Sequence, residues 1–153
     1  MTVKVTERNG VWHVPLSASH SPYQEVQFKR GREGFNYGVL IVDSEKFIAL
    51  YDNNSDSITP IDKASEWSES KRNEICAFLD PSAGPCEMPR VSFSWNEARS
   101  WRSLWRAKQL PDLCFGNGRH RSRYLHYAGA SCFPVEVGLD GIESLRAICG
   151  VTP

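Results

Sequence analysis

The sequence predicts an α+β domain in which helices pack on a mixed sheet, and three features of the chain predict it. Short apolar runs that alternate with polar residues and stop at turn residues occupy the first 60 positions, as strands do. Apolar residues at helical spacing follow over 65–80 and 94–108. Residues 113–137 then pass from an apolar run through a glycine turn into a helical pattern and out into a second apolar run. The expectation is one domain over residues 1–153, with a β-rich part at 1–60 and a motif-bearing part at 89–150.

Taken in order, Val3, Val5 and Val11-Trp12-His13-Val14 read as short strands around an Asn9-Gly10 hairpin turn. Ser17 to Pro22 reads as a loop, and neither His13 nor His20 has metal-ligand spacing. Val26 and Phe28 alternate with Gln27 and Lys29, predicting a half-buried strand before the basic turn Lys29 to Gly34. Tyr37 to Val42 and Phe47 to Tyr51 flank Asp43-Ser44-Glu45-Lys46, predicting a strand–turn–strand hairpin. Asp52 to Pro60 is polar and reads as a loop.

Ser65 to Asp80 predicts a helix whose inward face holds Ala64, Trp67, Ile75, Phe78 and Leu79, interrupted by Lys71 and ended by Pro81. Pro81 to Pro89 is a connector, and Arg90 to Phe93 resumes a strand. Ser94-Trp95-Asn96-Glu97 has the form of a capping box and predicts a helix to about Lys108. Its buried stripe is Ala98, Trp101, Leu104 and Trp105, with Arg99, Arg102 and Arg106 opposite. Gly141 to Cys149 predicts a short last helix with Ile142, Leu145 and Ile148 inward.

Composition narrows the class. A chain of 153 residues, 41% hydrophobic and 24% charged, suits a soluble globular domain with a real core. No uncharged apolar run approaches the roughly 18 residues of a membrane span, and the N-terminus lacks the apolar region of a signal peptide. A cytoplasmic chain without membrane insertion is expected. The five cysteines are odd in number and form no C-x-x-C pair, which disfavours both a disulfide framework and a zinc site. Net charge is zero but unevenly distributed. From Arg90 to Arg123 eight Lys/Arg face two acids, a local balance of +6 that leaves −6 for the rest. Such asymmetry focuses a phosphate-bearing partner on one face, making Arg99, Arg102, Arg106 and Arg123 candidate DNA contacts. The same pattern also fits a solvated helix face.

The chemistry concentrates at Gly116-Asn117-Gly118-Arg119-His120-Arg121. A strand running through glycines into a helix start makes an anion site, because first-turn N–H groups and the helix dipole point at the turn. Gly116 and Gly118 allow the backbone to turn and approach a ligand, and Asn117 is placed to cap the helix. Arg119 and Arg121 offer bidentate phosphate contacts, and Arg123 lies four positions past Arg119. His120 is the candidate to position water or donate a proton. Cations in a first helical turn oppose the dipole, which favours an anion there over a purely structural turn. Gly129 is the expected left-handed C-cap.

Asn117-Gly118-Arg119-His120-Arg121, with Tyr124-Leu125, Ala128-Gly129-Ala130 and Phe133-Pro134-Val135, resembles the ParB/sulfiredoxin superfamily, most closely its plasmid fertility-inhibition (oncogenic-suppression) branch. The resemblance is specific over about 25 residues. It implies a nucleotide-phosphate cradle at Gly116 to Arg121, ATP and Mg2+ as ligands, and ATPase or DNase activity with Arg119, His120 and Arg121 as catalytic candidates. It further implies a plasmid-encoded factor that meets DNA or a coupling protein and blocks conjugative transfer through a type IV secretion system. A non-catalytic module of the same fold, binding DNA or a secretion protein, is the alternative. Arg119 stands where sulfiredoxins place their catalytic cysteine, and Cys114 lies five positions earlier, so redox activity is not carried over. Some relatives have aspartate where this chain has Asn117, which shifts weight from nuclease to nucleotide binding. The nearest carboxylates in sequence are Asp112 and Glu136.

Overall fold

The computed structural model describes residues 4–17, 20–31, 36–53, 61–98 and 108–152. The first sheet holds β1 (Thr6–Arg8), β2 (Val11–Pro15), β3 (Glu25–Lys29) and β5 (Cys86–Glu87), in that spatial order. The second is ordered β4 (Tyr37–Asp43), β8 (Cys132–Gly138), β6 (Arg90–Ala98), β7 (Lys108–Asn117). Each sheet is mixed: β3 runs parallel to β5 and β6 parallel to β8, while the other pairs are antiparallel. Among the described residues four α-helices accompany the sheets in an α+β fold: α1 (Ser44–Asp52), α2 (Glu69–Phe78), α3 (Arg119–Tyr127) and α4 (Ile142–Cys149).

Local chemistry explains the regular parts. Asn9 and Gly10 both take positive φ, 53° and 78°, as a tight hairpin turn of this hand requires, and they set Arg8 opposite Val11. The core is continuous from Val14, Val26 and Phe28 to Leu40, Val42, Phe133, Val135, Val137 and Leu145. Phe47 sits within it, edge-on to Phe115 at 5.7 Å and to Phe133 at 5.5 Å. The start of α4 packs so closely on β6 that a Cβ at Gly141 would lie 2.2 Å from the Phe93 carbonyl oxygen. Gly141→Ala therefore forces backbone apart from backbone. A loss of about 2 kcal/mol is expected, read as a melting temperature lower by roughly 4–8 °C.

Four sequence expectations are corrected. The hairpin expected over residues 37–51 is a strand followed by a helix. Asp43 caps α1 by accepting from the Lys46 N–H at 2.9 Å, and Ser44, Phe47, Ile48 and Tyr51 then fall on one buried helical face. The helix expected to open at Ser94 is absent over 94–98, where β6 continues in register with β7, Trp95 opposite Pro111 and Ala98 opposite Lys108. Nine pairings along that ladder outweigh one local capping pattern. Pro111 is tolerated because β7 is an edge strand. Residues 99–107, with Arg99, Arg102 and Arg106, lie outside the described residues. The helix expected from Ser65 begins at Glu69, capped by Ser68, after a 3-10 turn at Ala64–Glu66. Phe78, expected inward, is 55% exposed.

A buried ionic cluster ties the sheets together near the motif. Glu136 on β8 is fully buried. Its carboxylate meets Arg90 Nε at 3.1 Å and Arg30 Nε at 3.5 Å, and accepts from the Gly31 N–H at 2.8 Å. Arg90 also lies over the Tyr37 ring. Glu136 thus joins the end of β3 to β6 and β8.

Candidate phosphate-binding helix start

The motif occupies the passage from β7 into α3. Gly118 is the N-cap, with φ 79° and ψ 14°, and supplies no side-chain cap. A Cβ there would lie 2.7 Å from Pro89 Cα, so left-handed backbone and close packing both demand glycine. Gly116, by contrast, lies in β7, where an added Cβ would meet only ordinary contacts from 3.6 Å outward. Asn117 does not cap the helix as expected. Its Oδ1 accepts from the Arg90 N–H at 2.8 Å, bracing the turn against β6. The helix closes with Gly129 at φ 82°, whose N–H reaches the His126 carbonyl while the Ala130 N–H reaches Leu125. This double bond pattern is a Schellman ending and agrees with the glycine expected there.

The cationic side chains separate by role. Arg121 is 9% exposed, donates Nη1 to the Glu87 carbonyl, and stacks over Phe78. Its Nη2 stands 3.1 Å from where a Gly118 Cβ would be, so this guanidinium forms the floor of the turn. Arg123 is buried; its two Nη groups pair with the Asp52 carboxylate and its plane lies over Tyr51. That placement removes Arg123 from a solvent-facing DNA surface. Arg119 and His120 are half-buried at the helix start. The His120 ring meets Trp67 edge-on at 5.6 Å.

His120 reports the local field. Burial is the main cause that pushes its pKa down, and the positive charges of Lys71 and Arg119 push it further, against a smaller opposing effect of Glu74. Lys71, which read in the sequence as an interruption of an apolar face, thus acts on His120, while its Nζ stands 3.9 Å from Glu74. The folded chain holds this proton less tightly than the unfolded one. Stability is therefore full above the ordinary imidazole value of 6.5 and falls as pH drops from there through the lower folded value. An NMR titration should place the His120 midpoint below 6.5, and an anion bound at the turn should raise it.

Among the described residues no three His, Cys, Asp or Glu converge as a metal site. Both carboxylates near the motif in sequence are already engaged: Glu136 by two arginines, and Asp112 by Asn96 Nδ2 at 2.9 Å and the Cys114 thiol.

Compared with known proteins, residues 39–150 match the family described as Plasmid Fertility inhibition factor. No curated protein matches. The crystal structure of Oncogenic Suppression Activity Protein, a plasmid fertility inhibition factor, in a gold(I) cyanide derivative, superposes with a TM-score of 0.70. That alignment covers 97% of this chain and 75% of the other at 17% identity, a likeness of fold. The family match spans well over half of the sequence, from β4 through α4: the chain belongs to the plasmid fertility inhibition factor family.

Proposed function

We propose that the chain inhibits conjugative plasmid transfer by binding nucleotide phosphates at the start of α3 and DNA through its basic stretch, acting on a type IV secretion system. The observation that carries the phosphate reading is the placement of Arg119 and Arg121 in the first turn of a helix start that has no side-chain cap. Arg119 and the backbone N–H groups are the phosphate contacts, and Arg121 adds charge from the floor. ATP is the nucleotide, and Mg2+ bound with it would neutralise phosphate charge. His120, held neutral near pH 7 by burial and its cationic neighbours, is the residue to orient water or take up a proton.

The DNA reading rests on the basic stretch 90–123, in which Arg90 and Arg123 are already paired with Glu136 and Asp52, leaving Arg99, Arg102 and Arg106 as the contacts. DNA affinity should fall steeply with salt. A non-catalytic module contacting a coupling protein is the second reading, favoured by the exposure of Trp95 and Phe78. ATP turnover that His120→Ala abolishes supports the enzyme, whereas binding without turnover supports the module.

The role is tested in a donor cell. Expression of the chain should lower transfer of a susceptible plasmid, and Arg119→Ala should relieve the block. In calorimetry the same substitution should weaken ATP binding about tenfold, the worth of one charge-assisted contact. Suppression that survives Arg119→Ala moves the inhibitory surface away from α3. Absence of suppression in every conjugation system tried removes the role.

A further inference from the structure

A cleft of about 400 Å³ lies between α1 and α3, lined by Ile48, Ala49 and Asp52 on one side and Arg123, His126 and Tyr127 on the other. We propose that this cleft receives the nucleoside part of the nucleotide whose phosphates sit at the start of α3. The proposal rests on the phosphate reading above and adds where the rest of that ligand goes.

Three observations carry it. The first is placement. Arg119, Arg123 and Tyr127 follow one another at four-residue spacing, so they share a face of α3. At 1.5 Å of rise per residue, the cleft residues Arg123 and Tyr127 lie roughly 6 and 12 Å along the helix from Arg119. A ligand anchored by phosphates at the first turn extends its ribose and base along that face. The second is a committed cation. Arg123 is 6% exposed and its Nη groups are held by Asp52, so it lines the cleft as half of an ion pair and not as a bare cation for phosphate.

The third is the character of the walls. Ile48 and Ala49 offer an aliphatic surface for a flat base, while the Tyr127 ring closes the opposite side. Glu45, Asp52 and Lys63 also line the cleft, and Asp52 is paired with Arg123, so the lining holds no surplus of positive charge for a bare phosphate. A neutral, polar group with its anionic end outside the cleft fits both facts. The volume lies within the range of small-ligand pockets, about 300–1,000 Å³.

The test titrates the whole chain with magnesium-ATP and, separately, with tripolyphosphate, in the wild type and in Ala49→Phe. Ala49 is exposed at the cleft and sits on α1, so the phenyl ring fills the cleft without entering the core. Wild type should bind ATP at least tenfold more tightly than tripolyphosphate. Ala49→Phe should erase that preference and leave tripolyphosphate affinity unchanged. A second measurement stands whether or not the variant folds: 8-azido-ATP should photolabel wild-type residues 44–53, 63–65 or 123–127. Equal wild-type affinities for ATP and tripolyphosphate, a preference that survives Ala49→Phe in a folded variant, or labelling confined to other segments would overturn the cleft proposal and leave the phosphate site standing. Binding of neither ligand would instead remove the phosphate site, and the cleft proposal with it.

Discussion

Glu136→Ala lowers the unfolding free energy by about 3 kcal/mol, measured by urea denaturation. The carboxylate is fully buried and offsets two guanidinium groups while accepting the Gly31 N–H. Removing it leaves cations of like sign facing each other across the sheets, which is where the large penalty of broken buried pairs arises. Water reaches Arg30 and Arg90 in part, their side chains being 30% and 14% exposed, so the lower end of the usual 3–5 kcal/mol applies. Glu136→Gln should recover little. An amide keeps one acceptor but turns a donor toward one of the arginines. A loss below about 1 kcal/mol for Glu136→Ala would show that the cluster is not the tie between sheets described above.

Arg121→Ala costs about 2–3 kcal/mol, a melting point lower by roughly 4–12 °C. The side chain contributes a charge-assisted bond to the Glu87 carbonyl and covers Phe78, and the alanine leaves that carbonyl without its donor. Arg121→Lys should fall between, because a single ammonium cannot keep the planar guanidinium's stacking together with its bond. Sequence reasoning assigned Arg121 to phosphate, and the two roles give different results. At a temperature where both variants are folded, Arg121→Ala should weaken tripolyphosphate binding less than Arg119→Ala does. The reverse order would mean that a ligand draws Arg121 away from Glu87.

The strand, turn, helix and strand of residues 113–137 could be read from the chain because their signals are local: a positive-φ glycine at each end of α3 and apolar runs on both sides. The Asn9-Gly10 hairpin was readable for the same reason. Asn117 was not, since an asparagine before a helix suits a cap equally well, and only the approach of β6 directs its side chain to Arg90. The α1 helix carried its own signal in Asp43 and the spacing of Ser44, Phe47, Ile48 and Tyr51. A seven-residue strand immediately before it made alternation the stronger pattern. At Ser94 the conflict ran the other way. A capping sequence was present, but pairing with β7, remote in sequence, decided the conformation. The burial of Arg121, the pairing of Arg123 with Asp52 and the effect of Lys71 on His120 all arise from contacts across 34 or more residues or between separate helices. No periodicity reports such contacts.

Whether the start of α3 holds nucleotide phosphates is decided by a crystal structure of the chain with a non-hydrolysable ATP analogue and magnesium. Phosphate oxygens are expected on the first-turn N–H groups beside Gly118 and Arg119, with the nucleoside lying along α3 toward Arg123. An analogue bound elsewhere, with nothing at Gly118, would contradict the phosphate reading.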